Sequence, residues 1–233
     1  MFEQNCLAKG DDGGVGLAGI SLGIAMKSVY RFQTEIGGPY YYEDISEQEM
    51  MKAAESIVTE VIQRVRQIEG LENIPILIAV YREAPQNSLV PGNFVAKTMV
   101  EGDKASIGKW ETVEEEYVLF PSSYGESTYP DISANIVDFE TDISSYFPNY
   151  VSVIGKGFYQ DGELRKLTIE IPVSFYGKAE LVGFTQYAYG IILSGFQNHY
   201  DIEVKITSGS GSKQEALIVR EAGEDEGFVH IYR

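Results

Sequence analysis

The chain has 233 residues and a mass of 25.9 kDa, with 44% apolar residues and 16 tyrosines. Roughly 70% of its unfolded surface can therefore be buried without help from disulfides or metal. Eighteen Lys and Arg against 35 Asp and Glu leave a net charge of −17, which repels a polyanion and excludes nucleic acid as an expected partner.

The single cysteine, Cys6, excludes an internal disulfide and any multi-cysteine zinc site. No apolar run approaches the roughly 20 residues of a membrane-spanning helix, and the first residues lack the basic and apolar segments of a signal peptide. The expectation is a cytosolic protein, or a chain that begins after its targeting segment.

Residues 1–14 mix charge with glycine and are expected as a flexible lead-in. Gly14-Val15-Gly16-Leu17-Ala18-Gly19 fits the dinucleotide fingerprint G-x-G-x-x-G, and Gly19-Ile20-Ser21-Leu22-Gly23 fits the nucleophile elbow G-x-S-x-G. Both fits are read as accidental. The fingerprint needs an apolar strand before it, where Lys9-Gly10-Asp11-Asp12-Gly13 stands, and the elbow needs a helix after its serine, where Ile24 to Phe32 reads as a strand.

Gly37-Gly38-Pro39 breaks that strand, and Ser46-Glu47-Gln48-Glu49 is a capping box that opens a helix. Met50, Ala54, Ile57, Val58, Val61, Val65 and Ile68 give the helix one apolar face until Gly70 stops it. Ile76 to Val80 is wholly apolar and predicts a central strand covered on both faces, followed by a strand from Phe94 to Val100. Glu101 to Asp131 is charged and turn-rich around the short strand Tyr117-Val118-Leu119-Phe120, and is expected to connect two halves.

Ile132, Ile136, Phe139, Ile143 and Phe147 mark a second amphipathic helix. Tyr150–Gln160 and Glu163–Phe175 read as strands joined by the hairpin turn Asp161-Gly162, with Pro172 hinting at an edge or a bulge. Ala179 to Phe196 predicts a mostly apolar helix, Ile202 to Ile206 a half-buried strand, and Ser208 to Lys213 a flexible turn before the closing strands of residues 215–232. The expected fold class is α+β: two similar halves, residues 15–131 and 132–233, each a largely antiparallel sheet with a packed helix in one compact unit.

An internal duplication is weighed because two apolar strands end alike. Tyr81-Arg82-Glu83-Ala84 and Val219-Arg220-Glu221-Ala222 are each followed by a glycine-containing turn and Phe-Val. These strand ends supply the candidate binding residues Tyr81, Arg82, Glu83, Arg220 and Glu221, since binding loops are often hung there. The plainer alternative for the arginines is a structural ion pair at a sheet end or between the halves. His230, on the wetter side of a strand near Glu224-Asp225-Glu226, is the sixth candidate, as a general base or a solvated side chain. Two histidines are too few for a histidine-rich metal site, and the carboxylate runs Glu114-Glu115-Glu116 and Glu224-Asp225-Glu226 lack calcium-loop spacing and are expected as solvated loops. No metal, no cofactor and no catalytic residue is expected.

Tyr81-Arg82-Glu83-Ala84-Pro85 with Ser88-Leu89-Val90-Pro91-Gly92-Asn93-Phe94 resembles the CamS family of Gram-positive lipoproteins, known as sex pheromone precursors. The likeness continues in Tyr117-Val118-Leu119-Phe120-Pro121, Tyr146-Phe147-Pro148-Asn149-Tyr150, Leu167-Thr168-Ile169-Glu170-Ile171-Pro172 and Phe175-Tyr176-Gly177-Lys178. It ends with residues 215–221 and 223–232, so the blocks span most of residues 17–233.

The resemblance implies an extracytoplasmic globular domain, held on the outer face of the cell membrane by a lipidated cysteine at the mature N-terminus. It also implies a pheromone peptide cut from the signal segment. Cys6, with no apolar stretch before it, is not expected to be that cysteine. The family carries over no catalytic residue. The leading expectation is a non-enzymatic domain binding a peptide, cell-wall polysaccharide or protein, in a crevice between the halves. The alternatives are a carboxylate-based hydrolase of wall polymer or peptide using Glu83, Glu221 or Glu224–Glu226 with His230, and a carrier that only delivers the signal peptide.

Overall fold

A computed structural model describes residues 2–10, 13–147, 152–175, 177–209 and 213–232. In chain order the first elements are β1 (Phe2–Lys9), β2 (Val15–Met26), β3 (Val29–Phe32), β4 (Tyr41–Asp44), α1 (Glu47–Val65), β5 (Ile76–Arg82), β6 (Asn93–Val100) and β7 (Glu111–Thr112). Then come β8 (Glu115–Phe120), α2 (Ser123–Thr128), α3 (Pro130–Tyr146), β9 (Ile154–Gln160), β10 (Glu163–Val173), α4 (Lys178–Gly195), β11 (Asp201–Ser208), β12 (Gln214–Arg220) and β13 (Phe228–Ile231). The fold is α+β.

The chain divides into two compact units, Met1–Glu115 and Glu116–Arg233, so the division falls inside β8 rather than after Asp131. The physical reason is burial. Val118 and Phe120 of β8 are 1% and 0% exposed in the core of the second unit, and β8 extends that unit's sheet beside β9.

In the first unit the sheet order is β1-β2-β5-β6-β7. β2 and β5 run parallel with α1 on the path between them, and every other pair is antiparallel. The expected lead-in is instead β1, whose residues 2–9 pair with residues 15–23 of β2 although all eight are exposed. Backbone pairing rather than burial holds it, which is why the polar composition of these residues misleads.

Ser46 caps α1 through the reciprocal hydrogen bonds of a capping box with Glu49. The helix buries Met50, Ala54, Val58 and Ile62 against Ile20, Leu22, Ile24, Ile76, Ile78 and Val80. The stripe is narrower than expected, and Ile57 and Ile68 stay exposed. Only one face of β5 is fully covered: Ile76, Ile78 and Val80 are buried, while Leu77, Ala79 and Tyr81 are partly exposed. The prediction of a strand covered on both faces fails because a single helix covers a single side.

The second unit repeats that path. Its sheet order is β13-β12-β11-β10-β9-β8, with β10 and β11 parallel across α4 and the pairs β9/β10, β11/β12 and β12/β13 antiparallel. β1, β2, α1, β5, β6 and β7 thus correspond to β9, β10, α4, β11, β12 and β13. The turn between β9 and β10 holds Asp161 at φ 55° and Gly162 at φ 77°, two left-handed residues as the tightest hairpin connection needs. Tyr150 and Val151, expected to begin β9, and Ser210 to Ser212, expected in the turn after β11, lie outside the described residues. Pro172 lies in a central strand, but past Glu170, the last β10 residue paired to β9, so one side of β10 is open there. Helices α3 and α4 share one core with the sheet, in which Phe139 and Ile143 of α3 and Phe184 and Ile192 of α4 are buried together with Ile169, Val204 and Ile218 of the strands.

The correspondence corrects the echo between the two Arg-Glu-Ala strand ends. β5 matches β11, not β12. Arg82 stands at the carboxyl end of a parallel strand beside Met26, whereas Arg220 pairs with Ile202 near the amino end of β11. The two motifs lie at opposite ends of equivalent sheets, so their likeness is no mark of repetition; the shared strand path is.

Candidate functional site

The carboxyl ends of the parallel pair β2/β5 open onto a cavity of about 580 Å³, a common place for ligands on sheets with parallel strands. Its floor is Lys27, Ser28 and Glu83, and its walls come from the β3–β4 hairpin (Val29, Arg31, Tyr42, Asp44) and the loop after β5 (Gln86, Asn87). Alternation explains the wall: Val29 pairs with Asp44 and Arg31 with Tyr42, so these four share one hairpin face, while Tyr30, Phe32 and Tyr41 stack on the other.

Backbone bonds close the base of the hairpin and the end of the parallel pair. Ile45 donates its N–H to the Ser28 carbonyl at 2.8 Å, and Glu83 donates its N–H to the Met26 carbonyl at 2.8 Å. Gly92 lets the outgoing chain press against β5, because a Cβ there would lie 2.0 Å from the Arg82 carbonyl oxygen. Within the cavity Arg31 donates to Gln86 Oε1 at 3.1 Å and lies 3.4 Å over the Tyr40 ring, so its guanidinium is oriented in advance. Ser28 is 8% exposed, and its hydroxyl has no hydrogen-bond partner among the described residues. Two cations and two carboxylates thus line one cavity.

Of the residues predicted from strand ends, Glu83 alone lines this cavity. Tyr81 is half-buried and meets Phe94 edge-on at 5.3 Å. Among the described residues Arg82 makes no ion pair of the expected kind; Nη2 donates to the Ile45 carbonyl at 3.1 Å, tying the end of β5 to the residue before the Ser46 cap.

Arg220 is 2% exposed and likewise turns to carbonyls instead of a carboxylate. It donates to the carbonyls of Phe196, at 3.0 Å, and Gln197, where α4 ends, and the negative end of the helix supports the buried cation. Glu221 is exposed, and His230 is exposed on β13 opposite Leu217, 4.6 Å edge-on from Tyr232. None of Arg220, Glu221 and His230 belongs to the cleft.

The carboxylate runs are only partly solvated loops. Glu115 Oε2 accepts the Phe94 N–H at 3.1 Å, and Glu116 accepts the hydroxyls of both Tyr124 and Tyr129. The bond to Glu116 holds the Tyr124 hydroxyl above its ordinary pKa, and burial, followed by the same carboxylate, does so for Tyr129. Among the described residues no cluster of histidine, cysteine and carboxylate side chains is set to hold a metal.

Sequence reasoning missed Lys27, Ser28, Arg31 and Asp44. The signal was present in Gly37-Gly38-Pro39 followed by Tyr40-Tyr41-Tyr42, a turn leading into a second short strand, but only pairing shows which side faces the cavity. The Gly19–Gly23 motif and all but the first glycine of the Gly14–Gly19 motif lie in β2, with no helix following either.

A family model described as the CamS sex pheromone cAM373 precursor matches residues 1–226. The chain belongs to the CamS family. Among solved structures this CamS chain is similar to a sex pheromone precursor from Lactobacillus salivarius, with 28% identity and a TM-score of 0.88 over 99% of the chain and 67% of the relative. It is also similar to the C-terminal domain of the sex pheromone staph-cAM373 precursor from Staphylococcus aureus, with 27% identity and a TM-score of 0.82 over 93% of the chain and 65% of that relative. The chain thus spans about two thirds of the length of either. None of the curated proteins matches it. Among the described residues no helix is long and apolar enough to cross a membrane.

Proposed function

We propose that this CamS domain is a non-enzymatic binding module of an extracytoplasmic, lipid-anchored protein of a Gram-positive bacterium, and that it takes a short peptide in the cleft at the carboxyl ends of β2 and β5. The pheromone peptide itself derives, on this reading, from a signal segment and not from the folded domain. Family membership supports the cellular setting, and the cleft supports binding. One observation carries most of the weight: Lys27 and Arg31 face the same cavity as Asp44 and Glu83. That set matches a ligand bearing both charges and backbone amides, with Gln86 and Asn87 as neutral contacts.

Thermal shift and calorimetric titration with a library of short peptides test the reading, with wall fragments as the competing ligand class. The expected result is a peptide that raises the melting temperature, with affinity lowered roughly tenfold by Arg31→Ala or Glu83→Gln. Failure of every peptide to shift the transition, or equal binding by both variants, would remove the proposal.

A hydrolase reading has one point in its favour, the two carboxylates Asp44 and Glu83 on one cavity. It requires cleavage of bound peptides or wall fragments that Glu83→Gln abolishes, and chromatography of the ligand after incubation decides it.

A further inference from the structure

Arg31 stands apart from the other charged groups of the β2/β5 cleft. Acids outnumber bases 35 to 18 in this chain, and Asp44 shares the cavity side of the hairpin with Arg31, two residues along from its cross-strand partner Tyr42. A diagonal neighbour of that kind is within reach of a long side chain. Arg31 nevertheless makes no ion pair among the described residues, and neither do Lys27, Asp44 and Glu83. Its guanidinium is turned to neutral groups: Nη1 donates to Gln86 Oε1 at 3.1 Å, and the Tyr40 ring lies 3.4 Å from the guanidinium carbon.

Those two contacts hold the group in place and leave it available. Gln86 takes one N–H and an aromatic face takes none, so most of the guanidinium's donors stay open. Arg31 is exposed, so a ligand entering the cavity reaches it. A cation already oriented by its neighbours loses less freedom when it binds.

The cavity also narrows the class of anion. Asp44 and Glu83 line it, and they oppose a doubly charged group such as phosphate. A carboxylate carries one charge, and its planar pair of oxygens matches the guanidinium fork. A peptide supplies such a group at its carboxyl terminus or on an acidic side chain.

We infer that Arg31 is the carboxylate anchor of the cleft, holding a free carboxylate of the bound peptide on its guanidinium. The assignment rests on the reading of the cleft as a peptide site, and it adds the group that the peptide must carry.

Tetraalanine derivatives test it, because their side chains carry no charge. N-acetyl-tetraalanine keeps only the terminal carboxylate, its C-terminal amide keeps no charge, and N-acetyl-Ala-Ala-Asp-Ala amide returns a carboxylate on a side chain. Binding is followed through the NMR signals of the Arg31 Nε–H group and the Tyr40 ring. N-acetyl-tetraalanine, the aspartate peptide or both are expected to bind roughly tenfold more tightly than the uncharged amide, and which of them does so identifies the source of the carboxylate. Arg31→Ala should abolish that gain while leaving the weaker binding of the amide unchanged. Arg31→Lys, which keeps the charge without the fork, should retain only part of it. If the amide binds as tightly as both acids, the anchor is overturned and the peptide reading stands. If Arg31→Ala weakens acid and amide alike, Arg31 is a strut of the hairpin, and the anchor is again overturned. Binding by none of these peptides overturns the anchor and the peptide reading together.

Discussion

The two units follow one strand path and stabilise it differently. In the first, α1 alone covers one face of the sheet, the buried residues form two separate clusters, and β1 is held by backbone pairing with no buried side chain. In the second, α3 and α4 join the sheet in one continuous cluster running from Val118 to Ile218. The difference shows that topology sets where chain ends and clefts occur, while the covering helices set how much apolar surface is removed from water. The unit with the lighter core is the one that carries an added two-stranded hairpin, a structure marginal by itself, and the charged cleft which that hairpin walls.

The largest expected effects probe that contrast. Phe184→Ala removes a side chain that is 0% exposed and packs edge-on against Phe147 and Phe175, and should cost about 3–5 kcal/mol. The only tryptophan, Trp110, packs on the clusters of the first unit, so its fluorescence reports that unit in urea while circular dichroism reports both. Independent units predict that Phe184→Ala moves the circular dichroism transition and leaves the Trp110 transition in place. Coincident movement of both would show that the units unfold as one.

Arg220→Ala comes next, at about 3 kcal/mol, since the carbonyls at the end of α4 lose their donor in buried surroundings. Arg82→Ala, which loses a bond to one carbonyl, should cost about 1 kcal/mol. Equal losses from the two would restore the equivalence that the strand pairing denies.

These arginines also show how much the sequence can tell. Helices α1, α3 and α4, the Ser46–Glu49 box, the Asp161-Gly162 hairpin and the alternating strand from Leu167 were legible because each depends on residues close together in the chain, whereas the short α2 inside the turn-rich stretch was not. Likewise, the blocks from Tyr81 to Phe94 and from residue 215 to 232 sufficed to recognise the family. Strand order was not legible, and it decides that β5 matches β11 and that Arg82 and Arg220 lie at opposite sheet ends. The unit boundary was missed for the same reason, since β8 joins its sheet through β9, which follows only after two intervening helices. Of the cleft, Glu83 was within reach of strand-end reasoning. Lys27, Ser28, Arg31 and Asp44 were not, because which face a short hairpin turns to a cavity depends on tertiary contact.

Smaller effects sharpen the comparison at single elements. Ser46→Ala opens the capping box of α1 and should cost about 1 kcal/mol, visible in the Trp110 transition but not in a probe confined to the second unit. The second unit has its own charge-based support at Glu203. Burial by itself would raise that carboxyl, but Lys166 and Lys205, at 2.5 and 2.8 Å, bring it below its ordinary value. A depressed folded pKa contributes stability that is complete above the unfolded value and is lost as pH falls through the folded one. The wild type should therefore lose stability below the usual carboxylate range more steeply than Glu203→Gln, by a fraction of about 1 kcal/mol given the partial exposure of the lysines. Urea midpoints measured from neutral pH down to acid decide it: parallel curves for the two proteins would mean that the lysine pair contributes nothing to the second unit, leaving its continuous core to account for its stability.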